Sequence, residues 1–360
     1  MKKVFYIGMM SGTSLDGVDV ALCRINKTSC ELVASETYPF PSDLKAEIIR
    51  MAHTPVTLSE AGQADHRLGV WFAEAVNHFL AYHAIDPNEV AAIGSHGQTV
   101  WHEPESRYPF SMQMGDPNII AAQTGIKVVA DFRRKDMAFG GSGAPFAPAF
   151  HKFIFKNIES STVVANIGGI ANITVLGRPL IGYDTGPGNM LMDAWIMQHK
   201  GVGYDQDGSW AQEGRVDYTL LDSMMEDPYF SKTYPKSTGR ETFNLEWIGN
   251  SISRSGRSPC PPVDVQRTLL ELTALSLSNE VLKFNPDMLM LCGGGAQNSF
   301  LVERIAALMP NMQVGVMAHS DALEAMMMAW LAYKRVHNEY IDLKDVTGAK
   351  QNTILGGVYV

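Results

Sequence analysis

The residues of this chain that can do chemistry sit in three glycine-bearing turns and a few polar strand ends. The first turn is Met10-Ser11-Gly12-Thr13-Ser14-Leu15-Asp16-Gly17, between the apolar runs Val4–Met9 and Val18–Ile25. Backbone N–H groups in a tight glycine turn converge on an anion, and glycine lets a ligand approach because it has no Cβ. Thr13 and Ser14 add hydroxyl donors. Asp16 adds a carboxylate of the kind Mg²⁺ takes beside phosphate oxygens, directly or through water. The pattern GxxxxGK[ST] is absent and the turn carries no lysine, so this is not a P-loop. Taken alone it reads first as a structural hairpin, since a lone glycine turn is weak evidence. A second glycine tip, Ile167-Gly168-Gly169, favours the phosphate reading, since two such hairpins and a metal can replace the missing lysine. The third turn, Gly293-Gly294-Gly295, follows an apolar strand and opens a helix. It suits either close approach of a phosphate-bearing or planar ligand or a simple tight turn.

Asp184 ends an apolar run before Gly186-Pro187-Gly188. A carboxylate there can take a proton from an attacking hydroxyl or water, or cap the following helix. His96 and Gln98 lie in a polar stretch after another strand, and Arg133-Arg134 follow a third. Strand ends of this kind hold sugar hydroxyls and carboxylates, and arginine binds a carboxylate through two parallel hydrogen bonds. The alternatives are a satisfied loop histidine and surface ion pairs to Asp131 or Asp136. Glu324 opens the helical stretch EAMMMAWLAYK, where an acid also suits the helix dipole.

The elements that must position these groups come in two series. The first half reads as a hairpin (Val4–Met9, Val18–Ile25), helical segments from Ser42 to His83, and a short strand from Ala91 ending in a polar loop. A helix near Asn118–Gly125 and a strand at Lys127–Phe132 follow. Phe139–Pro148, with three glycines and two prolines, marks a break. The second half starts again with a glycine-tipped hairpin in Ser161–Leu176, then a helix over Val263–Phe284, then strand, turn and helix over Asp287–Leu308. Two series opening alike predict a duplicated α/β architecture. The N-terminal lobe is placed at residues 1–135 plus about 340–360, and the C-terminal lobe at 136–339.

The chain has 360 residues, 46% of them hydrophobic and 19% charged, enough to bury two cores. A net charge of -9 argues against a nucleic-acid surface. The four cysteines form no CxxC pair or zinc-spaced cluster, as expected in a reduced compartment. No run is long enough to span a bilayer, and the N-terminal apolar run is cut by SGTSLDG before a cleavage signal. A cytoplasmic protein without membrane or nucleic-acid partners is expected.

Taken together, GMMSGTSLDGVDVAL, IGSHGQTVWHEP, VVADFRRKDMAFGGSGAPFAPAFH, NIGGIANIT, YDTGPGNMLMDAW, YDQDGSWA, PKSTGRETFN, DVQRTLLELTA and LCGGGAQN span nearly the whole chain. In this order they resemble the anhydro-N-acetylmuramic acid kinases, of the superfamily of actin, sugar kinases and heat-shock chaperone ATPases. The resemblance implies a bilobal actin-like ATPase fold, with duplicated ribonuclease H-like domains and ATP with Mg²⁺ in an interlobe cleft. It places Gly12, Thr13, Ser14, Leu15, Asp16, Gly17, Val18 and Asp19 on the family's ATP-phosphate loop. Gly168 and Gly169 fall on the second phosphate hairpin, and Gly293, Gly294 and Gly295 on the adenosine-side turn. Asp184 falls on the catalytic aspartate, and Asp16 is the expected Mg²⁺ contact. Arg133 and Glu324 fall on sugar-site contacts, with His96 and Gln98 beside them. The implied reaction is hydrolytic opening of 1,6-anhydro-N-acetylmuramic acid coupled to phosphorylation of O6, serving peptidoglycan recycling. A kinase of another anhydro sugar such as levoglucosan is the nearest alternative, and an ATP-driven switch the alternative from another class. A homodimer is expected.

Overall fold

β1 (Phe5–Ser11) and β2 (Gly17–Ile25) pair antiparallel as the expected hairpin, and β3 (Cys30–Pro39) continues the meander. These elements belong to a computed structural model, which describes residues 4–12, 15, 17–156, 161–257, 259–318 and 320–360. β1 is covered on both faces, so its sequence is a nearly unbroken apolar run. β3 alternates intermediate and exposed residues along its whole length, as an edge strand does. β4 (Val90–Glu103) lies parallel to β1, with β5 (Phe110–Met114) hairpinned onto its outer half and β6 (Val128–Ala130) parallel on its far side. The sheet runs β3-β2-β1-β4-β6, and a C-terminal strand, Gly357–Tyr359, closes it antiparallel to β6.

β4 is longer than the sequence suggests. His96 and Gln98 sit inside the strand rather than in a loop after it, because β1 and β5 both supply partners at that level. The helix Leu58–Tyr82, started by a Thr57–Glu60 capping box, lays Leu68, Phe72, Val76 and Phe79 on Ile7, Val20, Leu22 and Ile93. The helix Leu323–Val336 covers the opposite face. It comes within backbone contact of the sheet at the neighbouring glycines Gly8 and Gly94, where a Cβ would overlap the carbonyl oxygens of Ala325 and Met328. Only residues without a side chain permit that approach.

The second sheet repeats this order with different residues. β7 (Thr162–Ile167), β8 (Ile170–Val175) and β9 (Ile181–Pro187) form the antiparallel meander. β10 (Met288–Cys292) is parallel to β7, and β11 (Gln313–Val316) parallel to β10, giving β9-β8-β7-β10-β11. The helix Pro262–Leu282 buries Leu269, Leu272 and Leu277 in a core with Val163, Ile173 and Leu289. Each unit therefore carries the ribonuclease H-like order, an antiparallel meander continued by two parallel strands. The duplication expected from the two glycine-tipped hairpins is present in strand order and direction.

The units divide at Lys156/Asn157 and Asp321/Ala322, not near 135 and 340. The glycine- and proline-rich stretch after residue 138 is no linker. Asp136 accepts from Gly143 N at 2.8 Å and Thr347 Oγ1 at 2.9 Å, tying the stretch into the first unit. The helix Ala147–Ile154 then packs Phe150 and Phe153 on Trp330, with ring centroids 5.6 Å apart in both pairs. Aromatic burial thus carries helices Ala147–Ile154 and Leu323–Val336 into the first unit. Among the described residues no helix is long and apolar enough to cross a membrane.

Candidate active site

In the first unit, four of the expected residues, His96, Arg133, Glu324 and Asp19, converge through β4, β2 and two helix starts. Arg133 lies in the first turn of the helix Phe132–Ala138, after β6. Its Nε and Nη2 point at His96 Nε2, at 3.2 and 3.1 Å, and His96 Nδ1 lies 2.8 Å from the Gly97 carbonyl. A carbonyl only accepts, so Nδ1 carries the proton and Nε2 offers its lone pair to the guanidinium. Burial, reinforced by the Arg133 charge, pushes the His96 pKa down to about 3, so the ring stays neutral in ordinary buffers. Burial also pushes Arg133 down to about 10, against the Glu324 charge, and it remains a cation at neutral pH. His96 therefore holds Arg133, and Nη1 makes no hydrogen bond among the described residues.

Glu324 opens the helix Leu323–Val336 and stays open to solvent while ringed by protein. That surrounding protein pushes its carboxyl up, the Asp19 charge adds to the rise, and Arg133 opposes it. Asp19 lies on β2 opposite Met10 and accepts from Thr37 Oγ1 at 2.6 Å. Two carboxylates and one arginine thus share one electrostatic neighbourhood.

Gln98 has a different place from the one expected. Its amide is buried, accepting from Ser11 Oγ at 2.6 Å and donating to the Thr99 carbonyl at 3.1 Å. Ser11 is the last residue of β1, so Gln98 fixes the entry to the first glycine turn. The sequence reading missed Ser11, and a serine at the strand-to-turn junction was the available signal. Leu15 anchors the turn from within: its side chain is buried, its φ is +55°, and its N–H bonds to the Gly12 carbonyl at 3.3 Å. Thr13, Ser14 and Asp16 lie outside the described residues. Among those described, no group of three or more His, Cys, Asp or Glu could hold a metal ion. Mg²⁺ needs only one or two carboxylates beside phosphate oxygens, and Asp19 at the base of the turn is such a donor.

In the second unit the glycine turns come together. The carbonyls of Gly168 and Gly169 accept from the N–H groups of Gly188, Asn189 and Met190 at 2.8 to 3.2 Å. The hairpin tip thereby caps the helix Met190–Lys200, and Gly169 N–H, on the exposed side, is left without a partner among the described residues. Gly293, at φ +80°, passes so close to β7 that a Cβ would strike Asn166 and Ile167, and one on Gly295 would strike Ile167. Gly294 is exposed, with nothing nearer than 3.8 Å to its Cβ position. Two of the three glycines thus serve packing. The N–H groups of Gly294 and Gly295 open a 3₁₀ turn and have no acceptor within it. The N–H groups of Gly169, Gly294 and Gly295, without partners among the described residues, are the kind of donors from which an anion cradle for a nucleotide's phosphates is built. The sequence reading missed Asn166 and took Gly188 and Asn189 only as parts of the turn and helix start after Asp184; their contact with the second glycine tip has meaning only once the hairpin folds onto the helix start.

Asp184 lies on β9 opposite Asn172. Both of its side-chain hydrogen bonds fall on Oδ2, from Ser237 Oγ at 2.9 Å and Thr238 N at 3.1 Å, leaving Oδ1 without one among the described residues. Burial pushes its carboxyl above the usual aspartate range, against those two bonds and aided by the Glu241 charge. Such a group, half-buried and held through one oxygen, is suited to taking a proton on the other.

The family model for anhydro-N-acetylmuramic acid kinase matches residues 4–360. The chain belongs to the anhydro-N-acetylmuramic acid kinase family. A relative named anhydro-N-acetylmuramic acid kinase, from Sulfurovum sp. (strain NBC37-1), is 63% identical over 360 residues and covers 100% of both chains. One of the same name from Aliivibrio fischeri (strain ATCC 700601 / ES114) is 50% identical and covers 98% of each. This member of the anhydro-N-acetylmuramic acid kinase family is thus a phosphotransferase matched along its full length, so both units described above belong to the family's own frame.

Proposed function

We propose that the chain opens the ring of 1,6-anhydro-N-acetylmuramic acid with water and phosphorylates the freed O6 from ATP. The products are N-acetylmuramic acid 6-phosphate and ADP. The observation that carries this reading is Asp184, whose carboxyl is raised by burial and, among the described residues, tied through Oδ2 alone. Water attacks C1 as Asp184 removes its proton. The C1–O6 bond breaks, and O6 forms its new bond to the γ-phosphorus as the bond to the β-phosphate oxygen breaks, giving ADP. The free N–H groups of Gly169, Gly294 and Gly295 and the turn Gly12–Asp19 receive the phosphates. Mg²⁺, held by Asp16 with Asp19 beside it, would neutralise charge on the transferring group. Glu324 and Arg133 hold the amino sugar, with His96 behind Arg133, while Gln98 acts through Ser11 at the entry to the first glycine turn. The setting is bacterial cell-wall recycling in the cytoplasm, by a homodimer whose mass a sedimentation run would read.

Turnover of ATP and the anhydro sugar in ¹⁸O-labelled water tests the reaction. Label on the C1 oxygen of a 6-phosphorylated sugar is the expected result. ADP formed with label only in free phosphate would make the protein an ATPase and end this reading.

Arg133 supplies a specificity prediction. Its guanidinium remains charged and has Nη1 to offer, so it suits the lactyl carboxylate of the muramic substrate. A hydrogen bond to a charged group contributes about 1.5–3 kcal/mol, or roughly 10- to 100-fold in affinity. Arg133→Ala should raise KM by that factor for the muramic substrate and far less for levoglucosan. Equal effects on both sugars would remove Arg133 from the carboxylate.

A further inference from the structure

The stretch Pro235–Glu241 supplies the two donors on Asp184 Oδ2, but its lysine serves neither sugar nor nucleotide in the reading above. Lys236 is enclosed: its side chain is 2% exposed, and that of its partner Glu280 is 5% exposed. Lysine is rarely buried this far unless paired. Lys236 Nζ donates to Glu280 Oε1 at 2.7 Å and sits 4.8 Å from the centroid of the Tyr229 ring. The other oxygen, Glu280 Oε2, accepts from Tyr183 OH at 2.9 Å and Lys283 Nζ at 2.6 Å.

These partners flank Asp184 on both sides. Tyr183 precedes it on β9. Lys236 precedes Ser237, and its own carbonyl accepts the Asp184 N–H at 3.2 Å. Tyr229 closes the ring by donating from its hydroxyl to the Asp184 carbonyl at 2.7 Å. A single carboxylate near the end of the helix Pro262–Leu282 thus grips both arms. One oxygen holds the residue before Asp184, and the other holds the residue before the donors that orient it.

We propose that Glu280 and Lys236 are positioning residues for Asp184, the buried pair fixing residues 236–238 against β9 so that Oδ2 stays bonded and Oδ1 is left to take the proton. The proposal rests on Asp184 acting as the base. A buried ion pair is a poor choice for stability alone, since apolar residues of similar volume often serve as well or better. Although burial pushes the Glu280 carboxyl up, the bonds from Lys236, Lys283 and Tyr183 hold it below the usual range. The titratable groups acting around Asp184 are Glu241, Tyr183, Tyr229, Lys236, Glu280 and Lys283.

The test compares the double variant Lys236→Met/Glu280→Met with Glu280→Asp. The first removes both charges together, and the second keeps them and draws the carboxylate back by one methylene. Melting temperature, KM for both substrates and the pH profile of kcat are measured on each. Misplacing a reacting group by about 1 Å costs up to about 100-fold in rate. Both variants should fold, lose roughly 10- to 100-fold in kcat and change KM by less than about threefold. The acidic limb of kcat should move to higher pH, because loosening the Ser237 and Thr238 bonds removes what holds the Asp184 pKa down. Wild-type kcat with an unmoved limb overturns the proposal. So does failure of both variants to fold, which makes the pair a folding element. Asp184→Asn run in parallel separates the two readings: retained turnover there ends the base reading and this one with it. An inactive Asp184→Asn beside an unmoved limb in the double variant ends the positioning role alone.

Discussion

Asp184→Asn is expected to lower kcat by on the order of 10²–10⁴-fold while ATP binding and melting temperature stay close to wild type. The asparagine carbonyl can still accept from Ser237 Oγ and Thr238 N, which lie 2.9 and 3.1 Å from the oxygen it replaces. The fold therefore keeps its bonds and only the proton acceptor is lost. Full activity in this variant would remove the general-base assignment. The wild-type pH profile gives an independent reading of the same group. A general base works deprotonated, so kcat falls as pH drops through its pKa. Burial places that pKa above the ordinary aspartate value of about 3.9, and the Glu241 charge works in the same direction. The acidic limb should lie above that value and vanish in the residual activity of Asp184→Asn. A limb at the ordinary carboxylate position would mean that burial does not govern the group that titrates.

Gly8→Ala and Gly94→Ala are expected to destabilise the protein by roughly 3 kcal/mol or more each. The added methyl would overlap backbone atoms of the helix Leu323–Val336, the Ala325 and Met328 carbonyls, rather than a side chain that can rotate away. Relief requires the whole helix to lift from β1 and β4, opening a face lined by residues such as Ala329 and Ala332, both fully buried. In a protein of this size each 1 kcal/mol shifts the melting temperature by roughly 2–4 °C, so a drop of about 10 °C is expected. Gly62→Ala is the contrasting control. It lies within the helix Leu58–Tyr82 with nothing within 4 Å of its Cβ position, so alanine should stabilise by up to about 1 kcal/mol. Thermal unfolding of the three variants checks the argument, and similar melting temperatures for all three would refute it. Lifting that helix also moves Glu324 at its start, so any folded Gly8→Ala protein should show a raised KM for the sugar.

Some of this was legible before any folding. The three glycine turns are local features: an apolar run, a turn needing no Cβ, and a second run or helix. Their places at the ends of β1, β7 and β10 match the sequence reading. The restart after Ser161 was legible for the same reason, because a meander with a glycine tip leaves a short-range signature twice. Asp184, Arg133 and Glu324 stood out as charged groups at the edges of apolar runs, and burial does shift all three.

Other features depend on contacts between residues far apart in sequence. The sequence by itself determined the residue types, the turns and the duplicated order of strands, all carried by patterns a few residues long. Tertiary structure decided where the units divide, because Phe150 and Phe153 meet Trp330 from across the chain. It decided that Gln98 holds Ser11 and that His96 holds Arg133, since strand pairing and the turn after β6 bring those partners together. It also decided that a lysine in a polar motif is buried against Glu280 behind Asp184. Hydrogen bonds and close packing act over a few ångströms in space, and only the folded backbone places residues such as 98 and 11, or 236 and 280, at that range.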